Sequence, residues 1–143
     1  MTRVSFYLLP HADEAKRLQF ACQLAEKACR LGNRLLLHTA SHNLAQQLDR
    51  LLWDFRAESF VPHELLPASK LTPVHIGWGE DSGHHHDLLI NLGDSIPGFF
   101  SRFERVAEIV TQDPQQLAQS RERYRFYRER GYELDTIDMG KRT

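Results

Sequence analysis

The sequence predicts an α/β domain built on a parallel sheet, and three observations carry that prediction. Continuous apolar runs of the fully buried strand type recur, Leu35-Leu36-Leu37 and Leu88-Leu89-Ile90-Asn91-Leu92. Segments of helical period separate them. At the start of the chain a strand, a helix of about eighteen residues and a second strand follow one another, the βαβ order that calls for parallel pairing and right-handed crossovers.

Residues 3–9 read as the first strand, with Val4, Phe6 and Leu8 alternating and Pro10 ending it. Asp13 is the N-cap of the first helix, in which Leu18, Ala21, Cys22, Ala25, Ala28 and Cys29 repeat at helical spacing. Gly32-Asn33 supplies the left-handed C-cap that stops it near Leu31. After the strand within Arg34–Thr39, Ser41 caps a second helix with Leu44, Leu48, Leu51 and Leu52 on one stripe and Trp53 near its end. The middle, residues 57–63 and 67–73, holds too much proline and too little periodicity for a long element. Val74–Trp78 is the third strand, 79–87 a polar loop, and Leu88–Leu92 the fourth strand. A short helix is expected from Asp94 through Phe103, then a fifth strand over Arg105–Val110. Asp113-Pro114 opens the last helix, which stops at Gly131. With neither internal repeat nor interdomain linker, residues 1–143 read as one domain.

The 143 residues are 41 % hydrophobic and 26 % charged, an ordinary globular composition. Eighteen Lys and Arg face nineteen Asp and Glu, a net charge of −1. That balance argues against a body that coats DNA or an anionic membrane, since phosphate binding needs a cationic surplus. No apolar run reaches the ~20 residues of a membrane span, and the N-terminal apolar stretch is too short for a signal peptide and lacks its cleavage site. Cys22 and Cys29 stand about 10 Å apart along the helix axis, too far to bridge. They read as small apolar residues on a buried stripe, and the expected compartment is the cytosol.

Most patterns of catalysis are missing. The first turn, Leu8-Leu9-Pro10-His11-Ala12-Asp13, has no glycine with which to bring backbone N–H groups against a pyrophosphate. No G-x-x-x-x-G-K-[ST] loop, G-x-S-x-G elbow or activated cysteine occurs. His84-His85-His86 before Asp87 offers metal-binding imidazoles, but adjacent histidines point in divergent directions, and the flanks read as an exposed loop. His11, His38, His42, His63 and His75 are scattered.

Two segments stand out. Residues 121–130 carry five arginines against two glutamates, and Leu117, Arg121, Tyr124, Arg125 and Arg128 share one helix face. That face reads either as a solvated helix laced with ion pairs or as a site that captures an acidic, apolar-tipped peptide or single-stranded nucleic acid. Trp53, Phe55, Phe60 and Val61 crowd the junction of a helix and a loop, either as core under the loop or as an aromatic anchor for a partner protein.

Phe6-Tyr7-Leu8-Leu9, Leu52-Trp53 leading into Ala57-Glu58-Ser59-Phe60-Val61-Pro62-His63, the Asp87–Leu92 strand, and Arg121-Glu122-Arg123-Tyr124 with Tyr127-Arg128 and Gly131-Tyr132 follow one another over residues 3–137. In that order they resemble the chi subunit of bacterial DNA polymerase III holoenzyme. It implies a three-layer α/β/α domain, Rossmann-like without a nucleotide site, whose mainly parallel sheet has five or slightly more strands. It implies an accessory subunit without catalysis, cofactor or metal, acting in the cytoplasm at the replication fork. Such subunits pair with the psi subunit, which tethers them to the clamp loader, and grip the C-terminal tail of single-stranded-DNA-binding protein. In some bacteria the psi-facing surface receives an accessory DNA helicase instead. Carried over, Arg121 and Tyr124 fall on the tail pocket with Val110 on its wall. Leu117 replaces a lysine one turn earlier, leaving Arg125 and Arg128 as substitute cations. Trp53 and Phe60 fall on the psi surface, with Val61 and Pro62 beside them. DNA contact is then second-hand, through the protein that coats it. The rival reading is a small nucleotide- or metal-binding α/β enzyme.

Overall fold

The computed structural model describes residues 1–54, 61–68 and 72–141. Its elements run β1 (Arg3–Leu8), α1 (Glu14–Arg30), β2 (Leu35–His38), α2 (His42–Asp54), β3 (His63–Leu65), β4 (Val74–Gly77), β5 (Leu88–Asn91), β6 (Arg105–Val110), α3 (Pro114–Glu129) and β7 (Glu133–Asp138). All seven strands join one sheet in the order β3-β4-β2-β5-β6-β1-β7, and every pairing is parallel.

Alternation along the strands builds the three layers. Leu35, Leu37, Ile76, Ile90, Ala107 and Ile109 pack with the apolar stripes of α1 and α2. Val4, Phe6, Leu36, Leu89, Val106 and Val110 pack on the other side with Tyr127 of α3 and with Phe100 and Phe103. Successive residues of one strand thus feed both cores, which is why the strands read as unbroken apolar runs.

The helix starts follow the expected chemistry. Asp13 accepts from the Ala15 N–H at 2.9 Å, Ser41 Oγ from Leu44 N–H at 3.2 Å, and Asp113 from Gln116 N–H at 3.1 Å with Pro114 in the first turn. Each cap satisfies a backbone donor that the helix itself leaves open. Gly32 and Gly131, at φ of +90° and +80°, turn the chain out of α1 and α3. Leu48 and Leu52 of α2 are buried, but Leu51 of the same expected stripe is at the surface with Trp53.

Four expectations need correction. The sheet has seven strands, where five elements read as strands from the sequence and the resemblance allowed for slightly more. β3 is three residues inside the proline-rich middle, held as an edge strand by backbone pairing to β4. β7 is polar and largely exposed, and pairs residue for residue with β1. Only Phe100–Arg102 forms a helical turn, of 3₁₀ type, in place of a helix over 94–103; Pro97 lacks the N–H that a continuous helix would need. The histidine loop is not wholly exposed. His85 is buried, its ring stacked on that of buried His75 with centroids 3.8 Å apart. Last, Cys29 is only half-buried, while Cys22 is fully buried, its thiol pushed up to about 12 by that burial and so unreactive.

One polar cluster penetrates the second core. Glu108 of β6 is fully buried. Its Oε1 accepts from Arg123 Nε at 3.0 Å, and its Oε2 accepts from Tyr127 O–H at 2.8 Å and Asn91 Nδ2 at 3.0 Å. Arg123 also donates to the Asp94 carbonyl at 3.2 Å. Burial pushes the Glu108 carboxyl up, while Arg123, Asn91 and Tyr127 pull it back. Around the cluster, Phe6, Phe100 and Tyr132 meet Tyr127 edge-on at 5.4–6.3 Å.

Arg123→Ala strands a buried carboxylate, and urea denaturation should show a loss of about 3–5 kcal/mol. Arg125→Ala, which removes only an exposed pair with Glu122, should cost about 0.5 kcal/mol or less. A second expectation concerns pH. Burial holds His38 and His85 below the ordinary histidine value, their rings bonded at Nε2 to the Gly79 and Thr72 carbonyls. The unfolded chain therefore binds protons that the fold refuses, and stability falls as pH drops below the unfolded value near 6.5. The urea midpoint should decline between about pH 7.5 and about pH 5.5, and the combined His38→Gln and His85→Gln variant should decline less steeply.

Candidate peptide-binding surfaces

α3 lies against β6, β1 and β7, with Ser120, Arg123 and Tyr127 turned inward. At 100° per residue this puts Leu117, Tyr124, Arg121 and Arg128 along the flank and outer face. Tyr124 is half-buried, its ring edge-on to Phe6 at 5.3 Å. Arg128 lies 6.0 Å from the Tyr124 centroid. Arg121 and Arg128 are exposed, and neither forms an ion pair among the described residues. Leu117 is half-buried against the same apolar cluster. Two guanidinium groups without an ion pair among the described residues thus stand beside a ring and an aliphatic floor, a combination suited to a carboxylate attached to an apolar side chain.

The other expected members fare differently. Val110 is fully buried in the apolar cluster against which Tyr124 and Leu117 pack, rather than forming an open wall. Arg125 is exposed but is drawn to Glu122 at 3.1 Å. Of the remaining arginines, Arg123 is committed to Glu108, and Arg130 covers Phe126 at 3.7 Å. On the opposite flank of α3, a cleft of about 500 Å³ runs between Phe126 and the Ile96–Phe100 segment. Sequence reading missed Glu108, Arg123 and this cleft. One signal for the first was available, a lone carboxylate in the middle of the apolar strand Arg105–Val110.

The second surface lies at the far edge of the sheet. Trp53 is 60 % exposed, with its ring edge-on to buried His63 at 5.2 Å. His63 is fixed by the Val61 carbonyl at 2.6 Å from Nδ1 and Asp49 at 3.2 Å from Nε2. Pro62 is exposed, whereas Val61 is 3 % exposed and belongs to the core. Phe60 and Phe55 lie outside the described residues. Trp53 and Pro62 are therefore exposed apolar residues beside the edge strand β3, while Leu51, two residues from Trp53 on α2, points to the other flank of the helix.

The crevice at the carboxyl ends of the strands, where open α/β sheets hold ligands, is filled by the chain itself. Arg17 of α1 is 6 % exposed. Its guanidinium donates to the Leu92 carbonyl at 3.2 Å and approaches the Ile109 carbonyl at 3.5 Å, while Glu14 pairs with it from the same helix. Stacked imidazoles such as His75 and His85 cannot converge on one ion, and no group of three or more His, Cys, Asp or Glu side chains among the described residues has the arrangement of a metal site.

Comparison with known proteins identifies the family. Residues 1–135 match the model of the family described as DNA polymerase III chi subunit, HolC. A DNA polymerase III subunit chi from Pseudomonas aeruginosa is 50 % identical over 134 residues, spanning 94 % of both chains. Its counterpart from Escherichia coli is 34 % identical over 143 residues, spanning 95 % of this chain and 97 % of the relative. Among solved structures, the C-terminal domain of the DEAD-box protein Dbp5 superposes with a TM-score of 0.66 over 96 % of this chain and 92 % of that one, at 9 % identity, a likeness of fold alone. The chain belongs to the DNA polymerase III chi subunit family.

Proposed function

We propose that this protein is a non-catalytic adaptor of DNA replication, holding the C-terminal tail of single-stranded-DNA-binding protein on α3 and the psi subunit, and through it the clamp loader, on the Trp53 surface. The observation that carries the tail reading is the pair of guanidinium groups without an ion pair among the described residues, Arg121 and Arg128, flanking Tyr124 and Leu117. An acidic tail that ends in an apolar residue offers carboxylates to the first two and a side chain to the others. With leucine at position 117, Arg128 is the cation placed to complete the site, since Arg125 faces Glu122. Trp53 and Pro62 give the psi subunit an apolar anchor of the type that dominates interface energetics. An accessory helicase is an alternative occupant of that surface. Contact with DNA is indirect, the net charge of −1 offering little to phosphate. The cytoplasm is the compartment such a role requires. Arg17 filling the strand-end crevice weighs against the rival nucleotide-binding enzyme.

Calorimetric titration with a synthetic tail peptide tests the first surface. Arg121→Ala and Arg128→Ala should each weaken binding by about 1–3 kcal/mol without loss of stability, and added salt should weaken the wild-type complex. Unchanged affinity in both variants would remove the tail from α3. For the second surface, Trp53→Ala should abolish co-purification with psi, retain the tail affinity and change stability by less than about 1 kcal/mol; retained psi binding would reject that surface.

A further inference from the structure

The sheet face turned away from α3 carries a charge arrangement that neither proposed surface uses. Alternation places Arg105 and Ala107 of β6, with Arg3, Ser5 and Tyr7 of β1, on the side covered by α1. Arg3 and Arg105 are direct cross-strand partners, a like-charge juxtaposition that destabilises a sheet unless anions offset it. Arg3 is offset, lying 3.1 Å from Glu133 and 3.6 Å from Asp135 of β7. Arg105 has no ion-pair partner among the described residues, and neither has Lys27 in the last turn of α1.

The next pair on this face is Ser5 opposite Ala107. Their small side chains leave a hollow of about 230 Å³ beneath α1, bounded by Tyr7, Leu24, Lys27, Leu31 and Arg105. Leu31 at its mouth is 71 % exposed, one of the few large apolar side chains so open among the described residues. Two uncommitted cations therefore border a small, partly apolar recess.

We propose that this hollow is a binding site for a small organic anion, a single carboxylate on a compact apolar body. The carboxylate lies between Lys27 and Arg105, offsetting the like-charge pair, and the body rests over Ser5 and Ala107 against Leu24 and Leu31. A cavity of about 150 Å³ is enough for benzene, so this one has room for a ring and its carboxylate but not for a nucleotide. The site faces away from α3 and is independent of the adaptor reading.

Sodium benzoate is a suitable probe, titrated into the ¹⁵N-labelled full chain at constant ionic strength and followed by amide chemical shifts. Saturable shifts confined to the neighbourhood of Ser5, Tyr7, Lys27, Leu31 and Arg105 are expected. Arg105→Gln, at an exposed position, should lower affinity about tenfold, the loss of one charge-assisted contact. Ala107→Leu should fill the hollow and abolish binding. If that variant fails to fold, the Arg105→Gln result decides alone. Acetate, with the charge but little body, and benzyl alcohol, with the body but no charge, should both bind more weakly than benzoate. Shifts that do not saturate, that map instead to Arg121 and Tyr124, that survive Arg105→Gln, or that acetate reproduces at equal concentration would overturn the proposal.

Discussion

Glu108 has no exposed surface, and an ionised carboxylate is tolerable there because three donors from two elements meet it: Arg123 and Tyr127 of α3 and Asn91 of β5. A buried charge with one good partner is often no better than an apolar replacement, so the interest of this cluster lies in what it specifies. Arg123 and Tyr127 are four residues apart on α3, and both must face the sheet for the carboxylate to be satisfied. That fixes the helix in rotation as well as in position. Once Arg123 and Tyr127 point inward, Tyr124 is set on the flank against Phe6, and Arg121 and Arg128 turn outward. The link from Arg123 to the Asp94 carbonyl ties the loop after β5 into the same arrangement. The exposed chemistry of α3 is thus oriented by chemistry that solvent never reaches.

The sequence makes the basic run of residues 121–130 plain, but its five arginines are not equivalent. Arg123 is spent on Glu108, Arg125 is drawn to Glu122, and Arg130 covers Phe126. Arg121 and Arg128, the latter 6.0 Å from the Tyr124 ring, are left without an ion pair among the described residues on the flank of Leu117. Helical spacing correctly puts both on the face of Tyr124 and Leu117, because that inference needs nothing beyond the period of the helix. Spacing cannot reveal which arginine meets a buried acid, since Glu108 belongs to a strand that reads as apolar and is distant in sequence. Val110, which the resemblance puts on the pocket wall, is completely buried, and nothing in its apolar strand could have shown that.

Elements with their own periodicity or caps were legible: the three helices and the strands β1, β2, β4, β5 and β6. The two missed strands lie at the sheet edges, where register comes from a neighbour's backbone rather than from side-chain pattern. β3 is three residues, and β7 has Glu133, Asp135 and Asp138 where a core strand would carry apolar residues. Those acids also suit an edge, because unpaired backbone groups invite other chains, and charge discourages them. The histidine run was misread for a related reason: sequence cannot tell that the middle imidazole of three folds under the loop to stack on His75.

The strand order has a mechanical consequence. β3, beside Trp53, forms one border of the sheet, and β7, beside α3, forms the other. Six inter-strand spacings of ~4.8 Å hold those borders ~29 Å apart across a hydrogen-bonded slab. Two macromolecules seated at the two ends would not collide, and the rigid span between them would transmit tension without either having to release its grip.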